Sequence, residues 1–224
     1  MDNVNLTATP ELSVGEIVSN GISIGMKQFI PLLLTGILYI ITIWIPYLNI
    51  GTTIGLQCLI ANLHKGQPIN PTEIFDPKYR KNIGDFFILF ILWLVGTVFG
   101  LYFFGAGLVI AYSWMLALPL FADKGTGPLE SLQLSNKLTY GHKLTMFLGM
   151  LVIGLVIGIG LVIGMVVSRL ISDILGYLII FAVYVLAFPI QLGAQSYIYG
   201  RLTSGLNNND YRDDADRMAM NTAV

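Results

Sequence analysis

The sequence predicts an all-α integral membrane protein: six transmembrane helices in three hairpins, helices along the cytoplasmic interface, and both termini in the cytoplasm. Three observations predict it. Hydrophobic residues make up 55% of the 224-residue chain and charged residues only 11%, against roughly 25% charged in soluble domains. Apolar runs such as Leu144 to Val167 and Ile174 to Tyr199 reach the roughly 20 residues needed to cross a hydrocarbon layer about 30 Å thick. The charges sort to one side. Eleven of the twelve Lys and Arg residues fall on one face of this layout, leaving Arg169 alone on the other, and Asp173 is the only acid on that sparse face. The positive-inside rule puts the crowded face, and with it both termini, in the cytoplasm.

The elements follow in order. Residues 1–12 are polar and expected to be flexible. They carry Asp2 and Glu11, no Lys or Arg and no apolar stretch, so no cleavable signal is expected and the first apolar segment acts as the insertion signal. Ser13 with Glu16 three residues on has capping-box spacing and opens a helix over 13–27. Its polar stripe of Glu16, Ser19, Asn20, Ser23 and Lys27 opposes Val14, Ile17, Val18 and Ile22. That predicts an interfacial helix lying along the membrane or capping the bundle. The first span is expected at about 29–45, where Pro31 is tolerable in the first turn. A tight turn around Pro46 leads to a short second span at about 50–63. The connection at 64–84 holds Gly66, Pro68, Pro71 and Pro77, with room for one short helical piece over 72–79.

No charged residue occurs from Phe86 to Phe121, 36 positions. As one straight helix that stretch would be about 54 Å long, too long for a single crossing. Spans at 86–103 and 106–121 are therefore expected, folding back near Gly100, Gly105 and Gly107. Pro128 at a first-turn position opens a second interfacial helix over 127–140. The fifth and sixth spans fall at about 144–167 and 174–199, and the Asn- and Asp-rich stretch 204–224 is expected to be a disordered cytoplasmic tail. Glu16, Glu73 and Glu130 recur at intervals of 57, each ahead of a two-span hairpin. Three related hairpins would give this rhythm, and so would the similar lengths of six spans.

Little in the chain suggests chemistry. An ionisable group at a span centre costs about 2.5–3.5 kcal/mol and marks function, and none is expected there. Asp85 beside Lys81 reads as an interfacial anchor, and Arg169 and Asp173, four apart, are expected to pair across a helical turn. His64 and His142 have no metal-ligand spacing. Cys58 is the only cysteine, which excludes an intramolecular disulfide. The sequence has no Ser-His-Asp set, phosphate-binding loop or HExxH. No enzyme activity, cofactor or metal is expected, and a net charge of −1 gives no sign of nucleic-acid binding.

Polar residues within spans remain. Gln57, Gln191 and Gln195, with Asn62, Ser113 and Ser196, serve either as interhelical hydrogen-bonding groups or as the lining of a polar path. Glycine gives the clearest packing signal. Gly154 and Gly158, Gly160 and Gly164, and Gly96 and Gly100 form small-xxx-small pairs that let helix backbones approach closely. Such pairs are expected mainly within the protein's own bundle. The two pairs of the fifth span lie on different faces, which places that span between two neighbours and leaves a homo-oligomer open. Trp44, Trp93 and Trp114, with Tyr39, Tyr47, Tyr102 and Tyr112, fit an aromatic belt.

The segment from Trp114 to Ser135 carries a resemblance. A span ends in Trp-x4-Pro (Trp114, Pro119), followed by Asp-x-Gly-x-Gly (Asp123, Gly125, Gly127). A helix with Glu130, Ser131 and Ser135 comes next, then His142 and Lys143 before the next span. This pattern resembles a broad group of poorly characterised bacterial six-helix membrane proteins, which includes the membrane domain attached to some glycerophosphodiester phosphodiesterases. The resemblance covers about residues 13–200 and implies a bacterial inner-membrane protein without an established activity. The phosphodiesterase catalytic domain is a separate soluble module, and its activity is not carried over. Physically, Pro119 and the two glycines let the chain turn along the inner surface, with Asp123 or Thr126 placed to cap the following helix. The expected function is a non-enzymatic accessory or scaffold subunit that binds other membrane proteins or lipids. The alternative is a small transporter or channel for a neutral or lipid-like solute, using Gln57, Gln191 and Gln195.

Overall fold

The computed structural model describes residues 11–102 and 106–206. Of these, 83% are helical and none is in a strand. The expected flexible N-terminus up to residue 10, the expected breakpoint Gly105 and the tail beyond residue 206 lie outside the described residues. The helices are α1 (Val14–Lys27), α2 (Phe29–Thr42), α3 (Pro46–Leu63), α4 (Ile83–Tyr102), α5 (Ala106–Ser113), α6 (Ala117–Lys124), α7 (Pro128–Leu138), α8 (Lys143–Leu170) and α9 (Asp173–Thr203). Two 3-10 turns, Pro71–Phe75 and Pro77–Arg80, stand where one short helical piece is expected.

Four stretches are long and apolar enough to cross a membrane: α4, Ala106–Lys124 (α5 with α6), α8 and α9. Helices α1 and α2 pass only as a pair bent by 81°. The first hairpin does not supply two of the six expected spans by length and apolarity, for a physical reason. Helix α2 has 14 residues, about 21 Å at 1.5 Å per residue. Helix α3 has 18, but Asn49, Thr52, Thr53, Gln57 and Asn62 interrupt its apolar surface.

The α8–α9 hairpin is the long axis of the fold. Gly164 lies against Ile180, Gly160 against Val183, and Gly176 against Ser168. Helix α1 lies antiparallel on α9, with Gly21 on Ala194, Gly25 on the Pro189 carbonyl, and Ile17 on Gly149 of α8. The helix expected over 13–27 packs on the bundle through its small residues Gly21 and Gly25. Ser13 holds the N-cap position but makes no side-chain cap bond. The expected capping box does not form, because the Glu16 carboxylate accepts from the Tyr197 hydroxyl at 3.1 Å instead.

Since α1 follows α9, the 81° bend sends α2 steeply across α9. Gly36 sits on the Phe188 ring. Helix α3 returns antiparallel beside α2. Thr42 and Thr52 share a hydrogen bond at 2.8 Å, Tyr39 and Thr53 one at 3.1 Å, and Gln28 Nε2 donates to the Gln67 carbonyl at 3.0 Å. Leu32, Leu56, Ile60 and Leu63 close this hairpin over Leu192. The 64–84 connection then folds back along α3. Ile74 and Tyr79 cover Gly55, and the Arg80 methylenes cover Gly51, five residues from the start of α3.

A second core joins the N-terminal half of α4 to α6 and α7 through Phe86, Leu89, Ala117, Phe121 and Leu132, with Ile54 and Tyr79. The C-terminal half of α4 packs on α5 and the residues after it, with Gly96 under the Trp114 ring and Gly100 on Gly107. At the far end of α8, the expected Arg169–Asp173 pair is absent. The Asp173 carboxylate instead accepts from Ser168 Oγ at 2.8 Å.

Candidate functional site

The expected 106–121 span is broken. Helix α5 ends at Ser113 and α6 begins at Ala117, which frees backbone groups that an apolar environment cannot satisfy. Helix α7 supplies the partners. The Leu116 N–H donates to Ser135 Oγ at 3.1 Å, and that hydroxyl donates to the Ser113 carbonyl at 2.7 Å. Thr139 Oγ1 donates to the same carbonyl at 3.2 Å. Ser131, Ser135 and Thr139 are spaced by four, share one face of α7 and are fully buried. Helix α7, expected over 127–140, is a strut packed into the crook between α5 and α6.

The residues carrying the family-like motif build this strut. Trp114 fills the space over Gly96, and Pro119 is buried in the first turn of α6, where its missing N–H costs nothing. Gly125 ends α6 at φ +66, the left-handed conformation that favours glycine. Gly127 is the N-cap of α7, and its N–H donates to the Glu130 carboxylate at 3.1 Å. Neither expected cap forms. Thr126 bonds Ser131 Oγ at 2.6 Å, and Asp123 points to another helix.

Asp123 belongs to a polar cluster that joins the ends of α3, α6 and α9. The buried Tyr199 hydroxyl donates to Asp123 Oδ2 at 2.7 Å, and Lys124 Nζ lies 3.5 Å from the same oxygen. The His64 ring packs on Tyr199 with centroids 6.2 Å apart and covers Gly200. Its Nδ1 is buried without a partner. Burial, reinforced by the Lys65 charge, lowers the His64 pKa, so the imidazole is neutral at pH 7. Sequence reasoning missed this cluster because His64, Asp123 and Tyr199 are 59 to 135 residues apart and no local spacing links them.

Beside it, a polar cavity of about 140 Å³ lies between α3 and the 64–84 connection, lined in part by Cys58, Asn62, Gln67 and Glu73. At its rim Lys78 reaches Asp76 at 3.1 Å and Glu73 at 3.4 Å. The Lys78 amide and ammonium, bonded to Asp76, hold that carboxyl below its usual pKa. Among the described residues, no group of three or more His, Cys, Asp or Glu is placed to hold a metal ion.

The three glutamines do not converge by hydrogen bonding. Gln191 Nε2 lies 3.9 Å from Met150 Sδ on α8, while Gln57 and Gln195 are half-buried on α3 and α9. The glycine pairs of α8 divide. Gly160 and Gly164 pack on α9, whereas a Cβ at Gly154 or Gly158 would meet nothing within 4 Å. The expectation that both pairs pack the protein's own bundle is corrected for the second, because α9 and α1 contact α8 on other faces.

The fold and these contacts define a class: an all-helical protein with four helices of membrane-crossing length and apolarity, or five if the bent pair is one span. Comparison with known protein families, curated proteins and solved structures gives no match.

Proposed function

We propose that this protein is a non-enzymatic, multi-pass subunit of a bacterial cytoplasmic membrane that docks another membrane helix through α8. The open pair Gly154 and Gly158 carries the proposal. Glycine inside a helix costs about 1 kcal/mol relative to alanine. At Gly160 and Gly164 the close approach of α9 offsets that cost. At Gly154 and Gly158 no internal contact does, and exposed Leu151, Leu155 and Ile159 flank them. Small-xxx-small faces of this kind bring helix backbones into van der Waals contact in lipid.

The placement has two supports. The charge partition puts both termini and the 64–84 connection on the cytoplasmic side, and the Trp114–Ser135 motif resembles bacterial inner-membrane proteins. Within that placement α4, Ala106–Lys124, α8 and α9 cross fully, while the α2–α3 hairpin enters and returns on the cytoplasmic side. As a separate crossing, α3 would carry the Arg80 charge, packed at Gly51, close to the outer surface. The transport alternative has weaker support: the polar cavity lies at the cytoplasmic end beside Cys58 and Glu73, away from Gln191.

The test is Gly154→Leu with Gly158→Leu. In a mild detergent the wild-type protein is expected to migrate as a complex larger than one chain, and the double variant as a folded single chain. Unchanged migration of the double variant, or a wild type already monomeric in native membranes, would refute the docking role.

A further inference from the structure

A groove of about 350 Å³ runs between α5 and α8, lined by Leu108, Val109, Tyr112, Leu144 and Phe147, with Lys143 at one end. Ligand pockets span about 300–1,000 Å³, so its size suits a small ligand or one chain of a larger one. Leu108, Val109 and Leu144 are exposed, so the groove opens sideways, onto the surface that faces acyl chains in the membrane placement above. The lining is apolar except at the Lys143 end.

That end is built for an anion. Lys143 Nζ donates to Asn136 Oδ1 at 2.9 Å, and an ammonium has three donors, so two remain. Lys143 is also the first residue of α8, whose N-terminus has no side-chain cap. The first amides of this 28-residue helix are therefore next to Lys143 in the chain, and helix N-termini favour negative charge. The Tyr112 ring meets Phe147 edge-on at 5.6 Å, and both line the groove. A single acyl chain satisfies the wall, and a phosphate satisfies the end.

We propose that this groove binds one anionic glycerophospholipid of the cytoplasmic leaflet, with an acyl chain between α5 and α8 and the phosphate at Lys143 and the first turn of α8. This goes beyond docking through Gly154 and Gly158, which lie on another part of α8, and rests only on the membrane placement of α5 and α8.

Native mass spectrometry of the detergent-purified protein, titrated with phosphatidylglycerol or phosphatidylcholine, tests it. Wild type is expected to retain one phosphatidylglycerol about five-fold more tightly than phosphatidylcholine, the factor expected for one basic residue at an anionic lipid. Lys143→Ala should abolish the preference. Asn136→Ala, which breaks the same internal hydrogen bond but keeps the ammonium, should preserve it. Val109→Phe should weaken retention of both lipids by filling the wall. Equal retention of the two lipids by wild type, or a preference that survives Lys143→Ala, would overturn the proposal and leave the membrane placement intact. A protein recovered folded without detergent would overturn both.

Discussion

Gly25→Leu is expected to abolish recovery of folded protein. A Cβ at Gly25 would lie 2.3 Å from the Pro189 carbonyl oxygen and 2.9 Å from the Ile190 nitrogen. Both are backbone atoms of a 31-residue helix, so no rotamer change relieves the contact. Facing it, a Cβ at Gly193 would lie 2.3 Å from the Gly21 carbonyl oxygen, so the two helices interlock from both sides. Inserting methylenes into a packed site costs about 1–3 kcal/mol when side chains can shift. Here α1 must separate from α9, which also withdraws Ile17 from Gly149 and Glu16 from Tyr197. Domains have only about 5–15 kcal/mol in total. Gly15→Leu is the matched control: its Cβ would meet only Ser13 Oγ, at 3.8 Å. In detergent, thermal unfolding of Gly15→Leu should match wild type within a few degrees, whereas Gly25→Leu should aggregate or elute as a broad peak. A wild-type melt for Gly25→Leu would mean that α1 does not dock on α9.

A cysteine at the tip of the α2–α3 hairpin is expected to resist labelling from outside the cell. Trp44 is 87% exposed at that tip, and Tyr102 is 83% exposed at the C-terminal end of α4, the outer end in the proposed placement. In a Cys58→Ala background, a membrane-impermeant maleimide applied to intact spheroplasts should modify Tyr102→Cys fully and leave Trp44→Cys unmodified. The contrast is all-or-none. Equal modification of both would restore six crossings and place the Arg80 side chain near the outer surface.

This hairpin also shows where the sequence ran out of information. Charge sorting reports only which face each connection occupies. A hairpin that crosses and returns and one that enters and returns both bring the chain back to the same face. Lys65, Lys78, Arg80 and Lys81 therefore look alike in either case, and hydropathy alone was left to decide. Asn49 then falls in a tight turn before a short span at about 50–63, and nothing in the sequence pairs the Thr52 and Thr53 hydroxyls with Thr42 and Tyr39. The long helices α4, α8 and α9 were legible within a few residues, because an apolar run of that length has few alternatives.

For helix α1 the sequence left two placements open, along the membrane or capping the bundle. Its polar stripe was genuine, but Gly21 and Gly25 on the other side carried the stronger instruction, and a wheel that counts only polarity treats glycine as neutral. The Trp114–Ser135 segment was legible as a structural motif, and its turn residues fell in place. The break at Trp114–Leu116 was not, since its signal is the four-residue spacing of Ser131, Ser135 and Thr139 on a different helix. Clusters such as His64, Asp123 and Tyr199 depend wholly on tertiary placement.

Photocrosslinking in native membranes shows whether the open glycine face of α8 meets another helix. A benzophenone amino acid at Leu155, beside Gly154 and Gly158, is compared with one at Phe181, an exposed residue of α9. A protein adduct of one discrete added mass is expected from position 155 and none from position 181. Adducts from both positions alike, or lipid adducts alone from position 155, would contradict it.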